Sequence, residues 1–177
     1  MTSDADRRLL VRLAREAIAS YVNRAPVPSD PAALGGRTGA AFVTIHNRGM
    51  LRGCIGHLAT NEALGRVVPR CAVAACSSDP RFPPIAPSEL PDLAIEVSLL
   101  GPLEPIAGPQ DVEVGRHGLV VQYRSQRGLL LPQVAIEWKW DAEAFLAHTC
   151  RKAGLPRDQW KNGAEIWRFE AEVFGET

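Results

Sequence analysis

Polarity alternates at every second position between Asp92 and Leu100. Leu93, Ile95, Val97 and Leu99 face one way, and Glu96 and Ser98 face the other. Side chains repeat every two residues only in a strand; the apolar row faces a core, and the polar row meets solvent or, in a covered sheet, needs partners. The pattern returns near the C-terminus, where Trp167, Phe169, Ala171 and Val173 alternate with Arg168, Glu170 and Glu172. Two further runs, Ala40–Asn47 and Met50 onward, flank Asn47-Arg48-Gly49 and read as a hairpin. Val112–Tyr123 and Gly128–Leu131 read as another strand pair joined near Ser125.

Three segments switch to helical spacing. In residues 4–23, Leu10, Leu13, Ala14, Ala17, Ile18 and Tyr21 recur at intervals of three and four, with Ser3 or Asp4 to cap the start. In residues 62–76 the same spacing runs through Leu64, Val67, Val68 and Cys71, and Pro69 within it predicts a kink or a restart. Asp141 caps a third helix that Gly154 and Pro156 bring to a stop. Residues 25–39 are rich in proline and glycine and read as a linker or long loop, and 77–90 hold four prolines and cannot be regular structure. Hairpins with helices between them predict an α+β fold with a mainly antiparallel sheet flanked by helices.

Composition narrows the function classes. At 177 residues the chain is expected to form one domain. Twenty basic residues balance twenty acidic ones, so no net positive charge drives nucleic-acid binding, and no nucleic acid is expected as a partner. No apolar run reaches the ~20 residues of a membrane span, and MTSDADRRLL lacks the apolar core of a secretory signal. Four cysteines are too few for a disulfide framework, which predicts a reduced, cytoplasmic location without a membrane. No CxxC, HExxH, GxGxxG or GxxxxGK[ST] occurs, so neither a metal nor a cofactor is expected. Trp138 and Trp140 read as packing anchors.

The densest local signal is Leu51-Arg52-Gly53-Cys54-Ile55-Gly56-His57. Glycines in a strand mark a bulge or a close approach by another backbone or a ligand. A thiol becomes a nucleophile when neighbouring positive charge favours the thiolate, which Arg52 or a protonated His57 could supply, although His57 lies on the opposite parity. The plainer alternative is that Cys54 is a small buried hydrophobe. In Asp79-Pro80-Arg81-Phe82-Pro83-Pro84, proline rigidity makes Arg81 a candidate anion clamp, or else Asp79 pairs with Arg81 and Phe82 plugs the core. Glu96 would join these residues by pairing with Arg52 or Arg81.

These blocks resemble one family. LRGCIG at Leu51–Gly56 looks like the signature of the AMMECR-type domain family, whose prokaryotic members are called AmmeMemoRadiSam system protein A. SDPRFPP, IEVSLL, GRHGLVV, LLLPQVAIE and CRKAGLP follow in family order, so the resemblance covers almost the whole chain as one domain, 1–177. Cys76 and Ser77 depart from it, at positions where members often carry Ala or Phe. The resemblance implies two unequal lobes with a cleft where the LRGCIG run lies. It assigns no reaction. It implies work beside a Memo-like protein and a radical S-adenosylmethionine protein in a modification system. Two functions are then open for a cleft lined by Arg52, Gly53, Cys54, Gly56, Asp79, Arg81 and Glu96. In one, Cys54 is a catalytic nucleophile or carrier and the arginines bind a small anionic or peptide ligand. In the other, the same cleft belongs to a non-enzymatic binding or scaffold module.

Overall fold

The computed structural model describes residues 1–58 and 61–176. The chain divides into two compact units, the first comprising Met1–Leu99 with the chain from Glu172 onward, the second Leu100–Ala171. Residues 25–39 thus lie inside the first unit, where a short 3-10 turn at Ala33–Gly36 interrupts them.

The first unit begins with α1 (Asp4–Val22), whose N-cap Ser3 accepts the Asp6 N–H. Its buried face is Leu10, Leu13, Ala14, Ala17 and Ile18, while Tyr21, expected on that face, is exposed. Strands β1 (Ala40–Asn47) and β2 (Met50–His57) form the expected antiparallel hairpin. Its turn residues Arg48 and Gly49 both have positive φ, which twists the turn to match its strands. β3 (Leu93–Leu100) lies beside β1 and beside the last residues of the C-terminal strand β7 (Glu165–Gly175). Its inward row Leu93, Ile95, Val97 and Leu99 is buried as the alternation requires. The core formed with α1 and with α2 (Leu64–Ser77) takes in Val43, Ile45, Val67, Val68 and Cys71.

Pro69 does not break α2. A proline has no N–H to donate to the carbonyl four residues back, here that of Gly65. The Asp30 N–H donates to the Gly65 carbonyl instead, at 3.0 Å, so the bond that Pro69 cannot make comes from the loop. Gly65 is required for this approach, because a Cβ there would sit 1.7 Å from the Asp30 oxygen.

The second unit has β5 (His117–Tyr123) between β6 (Gln126–Leu130) and β7, with the short β4 (Glu104–Pro105) on the other side of β7, all antiparallel. β5 starts five residues later than the sequence pattern suggests, because Val112–Arg116 form a loop whose Glu113 N–H is taken by a side chain. Helix α3 (Pro132–Glu137), which the sequence patterns do not mark, starts from the fixed φ of Pro132. Helix α4 (Ala142–Lys152) is capped by Asp141 and followed by Gly154 at positive φ, as its stop signals require. Phe145, Leu146, Cys150, Leu119, Val121 and Ile166 make the core. The last strand departs from its expected pattern: Phe169 is buried, but Ile166 is the residue in this core, and Val173 is exposed. Trp138 is also no anchor, being 68% exposed and stacked on Trp140, which in turn stacks on His148. Among the described residues, no helix is long and apolar enough to cross a membrane.

Candidate functional site

The LRGCIG run and the DPRFPP loop meet within the first unit. The register between β1 and β2 slips between Ile45 and His46, so that Ile45 faces Gly53, His46 faces Leu51, and Arg52 is the extra residue of a bulge. A bulge re-aims the side chain it carries. Arg52 donates to both oxygens of Glu89, through Nε at 2.9 Å and Nη2 at 3.1 Å, and to the carbonyls of Pro83 at 2.7 Å and Pro84 at 3.3 Å. Its side chain is only 15% exposed. Arg52 is therefore a fastener that ties the proline loop to β2. The pairings expected for Glu96 are corrected accordingly: Arg52 pairs with Glu89 and Arg81 with Asp79.

The loop is also held at its other end. Asp79 Oδ2 accepts the Cys54 backbone N–H at 3.0 Å, and Oδ1 accepts the Arg81 N–H at 3.0 Å. The same carboxylate receives the Arg81 guanidinium through Nε at 3.1 Å and Nη2 at 2.8 Å. The Arg81 guanidinium beside it, helped by the two backbone N–H groups, holds the Asp79 carboxyl far below the usual carboxylate range against the opposing effect of burial. Asp79 is 2% exposed, whereas Arg81 is 50% exposed. The pair thus presents a fixed, accessible cation whose counter-ion is buried, with the Phe82 ring 5.4 Å away under the guanidinium. Phe82 is half-buried, and it is Ile85 that enters the core.

Cys54 is half-buried and shares a 3.2 Å hydrogen bond with Thr44 Oγ1, its opposite residue on β1. Burial pushes its thiol pKa up; the Thr44 bond and the Arg81 charge oppose this, and the Asp79 and Glu96 charges add to it. Arg81, not Arg52, is the cation within reach of the sulfur, and no histidine bonds to it among the described residues. Cys71 and Cys76, deeper in the core, are pushed up to about 11 by burial. Glu96 is half-buried and close enough to act on Cys54 by its charge, and it forms no ion pair among the described residues.

The two glycines have a different explanation. A Cβ on Gly53 would lie 2.1 Å from the Ala75 carbonyl, so β2 presses directly on α2 there. A Cβ on Gly56 would lie 2.3 Å from the Phe42 ring. Both are places of close approach by the protein's own groups. Thr44 and Glu89, which position Cys54 and Arg52, escaped the sequence reading. Thr44 was detectable as the polar residue between the inward Val43 and Ile45. Among the described residues, no group of His, Cys, Asp or Glu is arranged to hold a metal ion.

The AMMECR1 family model matches residues 11–174. The chain is 41% identical to Protein Mbar_A1807 of Methanosarcina barkeri, over 99% of this chain and 93% of that one. It is 46% identical to a protein of Thermococcus gammatolerans, over 94% of this chain and 88% of the relative. The crystal structure of uncharacterized protein PH0010 from Pyrococcus horikoshii is similar at a TM-score of 0.92 and 39% identity, covering 98% of this chain and 93% of that one.

Proposed function

Given that the chain belongs to the AMMECR1 family, we propose that it is the binding component of a modification system, working with a Memo-like protein and a radical S-adenosylmethionine protein. The recess around the LRGCIG run takes a small anionic or peptide ligand, and Arg81 supplies the cation. One observation carries this reading. The Arg81 guanidinium is half exposed yet fixed by a buried carboxylate, so an anion meets a preorganised donor and little side-chain entropy is lost on binding. Glu96 adds a negative group for the amide or ammonium end of a peptide.

The binding reading is favoured over nucleophilic catalysis by Cys54. A nucleophilic cysteine needs its thiolate stabilised, whereas burial raises this thiol and, among the described residues, its side-chain hydrogen bond is to a neutral hydroxyl. Half-buried and within reach of the Arg81 charge, Cys54 suits a neutral contact. Titration of the purified chain against a Memo-like protein and a radical S-adenosylmethionine protein from the same organism, singly and together, tests the reading. A saturable complex with at least one of them is expected, and no complex in any combination overturns it.

A further inference from the structure

The second unit carries a polar pocket with no counterpart among the residues singled out in sequence. On the face of β5 and β7 that supplies Leu119, Val121 and Ile166 to the core, the row continues as His117, Arg168 and Glu170, with His117 opposite Glu170 in the register. Apolar packing therefore gives way to charge at one end of the face. Together with the Gln110–Glu113 loop these residues line a cavity of about 320 Å³, in which Val112 is the single aliphatic side chain.

His117 is the unusual member. It is 6% exposed, and its Nδ1 accepts the Glu113 backbone N–H at 2.9 Å. A ring nitrogen that accepts is unprotonated, which places the proton on Nε2 and makes it a donor. Among the described residues the ring's hydrogen bond is the one at Nδ1, which leaves the Nε2–H without a partner, although a buried polar group is normally satisfied. His117 forms part of the cavity wall, so an acceptor for this N–H has room to sit in the cavity. An uncharged donor of this kind calls for an oxygen acceptor.

The charges of the wall call for a second group. Four carboxylates (Glu104, Asp111, Glu113 and Glu170) face two guanidiniums, Arg116 and Arg168. Arg116 already pairs with Glu113 and Glu170, and Arg168 with Glu104, so negative charge is left over. We propose that this pocket binds a free polar α-amino acid, its carboxylate on His117 Nε2–H beside the guanidiniums and its ammonium against the surplus carboxylates. The volume admits a molecule of that size, and the polar wall offers nothing to a large apolar side chain.

Calorimetric titration with L-serine, L-threonine, L-asparagine and L-glutamine tests the proposal, alongside the matching amides, which keep only the ammonium, and the N-acetyl derivatives, which keep only the carboxylate. At least one free amino acid is expected to bind saturably at millimolar concentration. Loss of either charge should weaken that binding about tenfold or more, as loss of a charge-assisted hydrogen bond does. His117→Gln retains a donor near the Nε2 position and should keep binding, whereas His117→Phe should lose it. Should the phenylalanine variant not fold, the Nε2 resonance of the wild-type imidazole decides, since it should shift and saturate with the ligand. No saturable binding of any of the four, amides binding as tightly as the parent amino acids, or unchanged binding by folded His117→Phe each overturns the proposal.

Discussion

The backbone N–H of Cys54 donates to the buried Asp79 carboxylate at 3.0 Å, and that carboxylate is the group that fixes Arg81. The LRGCIG strand and the proline loop are therefore linked through one acidic side chain. Asp79→Ala removes the acceptor of two backbone N–H groups, and a loss of about 1–3 kcal/mol in denaturant unfolding is expected for a buried donor left unsatisfied. The pH dependence has a definite sign. The folded carboxyl titrates far below its unfolded value, so its contribution is present above the unfolded value of about 4 and lost as pH falls toward the folded one. The stability gap between wild type and Asp79→Asn is thus expected to be widest near neutrality and to close on acidification below about pH 4. A gap independent of pH would contradict it.

Alkylation of Cys54 by iodoacetamide, followed against pH, is expected to show a midpoint above the ~8.5 of a free cysteine. Arg81→Ala and Thr44→Val should each move it further up, since the charge and the hydrogen bond both oppose the effect of burial. Cys54→Ser should cost no more than about 1 kcal/mol, because Thr44 already stands ready as a hydrogen-bond partner for the new hydroxyl.

The two glycines separate by what they touch. Gly53→Ala drives a methyl into the Ala75 carbonyl of α2, a backbone atom that moves only with its helix, so about 2–3 kcal/mol of destabilisation is expected from overpacking. Gly56→Ala meets the Phe42 ring, a side chain that can turn aside. Phe42→Ala should rescue Gly56→Ala in a double-mutant cycle and leave Gly53→Ala unrelieved. Equal rescue of both would contradict these contacts.

The C-terminal end of the first unit is held by Glu176, which accepts two bonds from Arg15, at 2.8 and 2.7 Å, and the Ile95 N–H at 2.9 Å. Arg15 extends the clamp to the carbonyls of Leu90 and Leu93. With both side chains about one-third exposed, Glu176→Ala is expected to cost about 1–2 kcal/mol, above a free surface pair but below a buried one. The Ile95 amide should exchange faster with deuterium in that variant, and protection equal to wild type would sink the idea.

Much of the fold was legible because periodicity and punctuation are local. β3, the β1–β2 hairpin and α4 follow from alternation, a two-residue turn and an Asp cap with a glycine stop. What escaped depends on contacts distant in sequence. Pro69 stays helical because Asp30 replaces its missing hydrogen bond, and nothing near Pro69 announces that. The site was legible as a set of residues and illegible as a set of pairs. Arg52, Cys54, Asp79 and Arg81 do come together, but the bulge at Arg52 turns its guanidinium to Glu89 and leaves Arg81 as the cation near the thiol.

Complex formation by Arg81→Ala and by Cys54→Ala, measured side by side against the Memo-like and radical S-adenosylmethionine proteins, tests the binding reading most directly. Both variants should be checked for wild-type folding first. Cys54→Ala is expected to bind like the native chain, and Arg81→Ala is expected to weaken binding about tenfold or more, the scale of one charge-assisted hydrogen bond. Undiminished binding by folded Arg81→Ala, with loss confined to Cys54→Ala, would contradict the account and return the thiol to the centre of the chemistry.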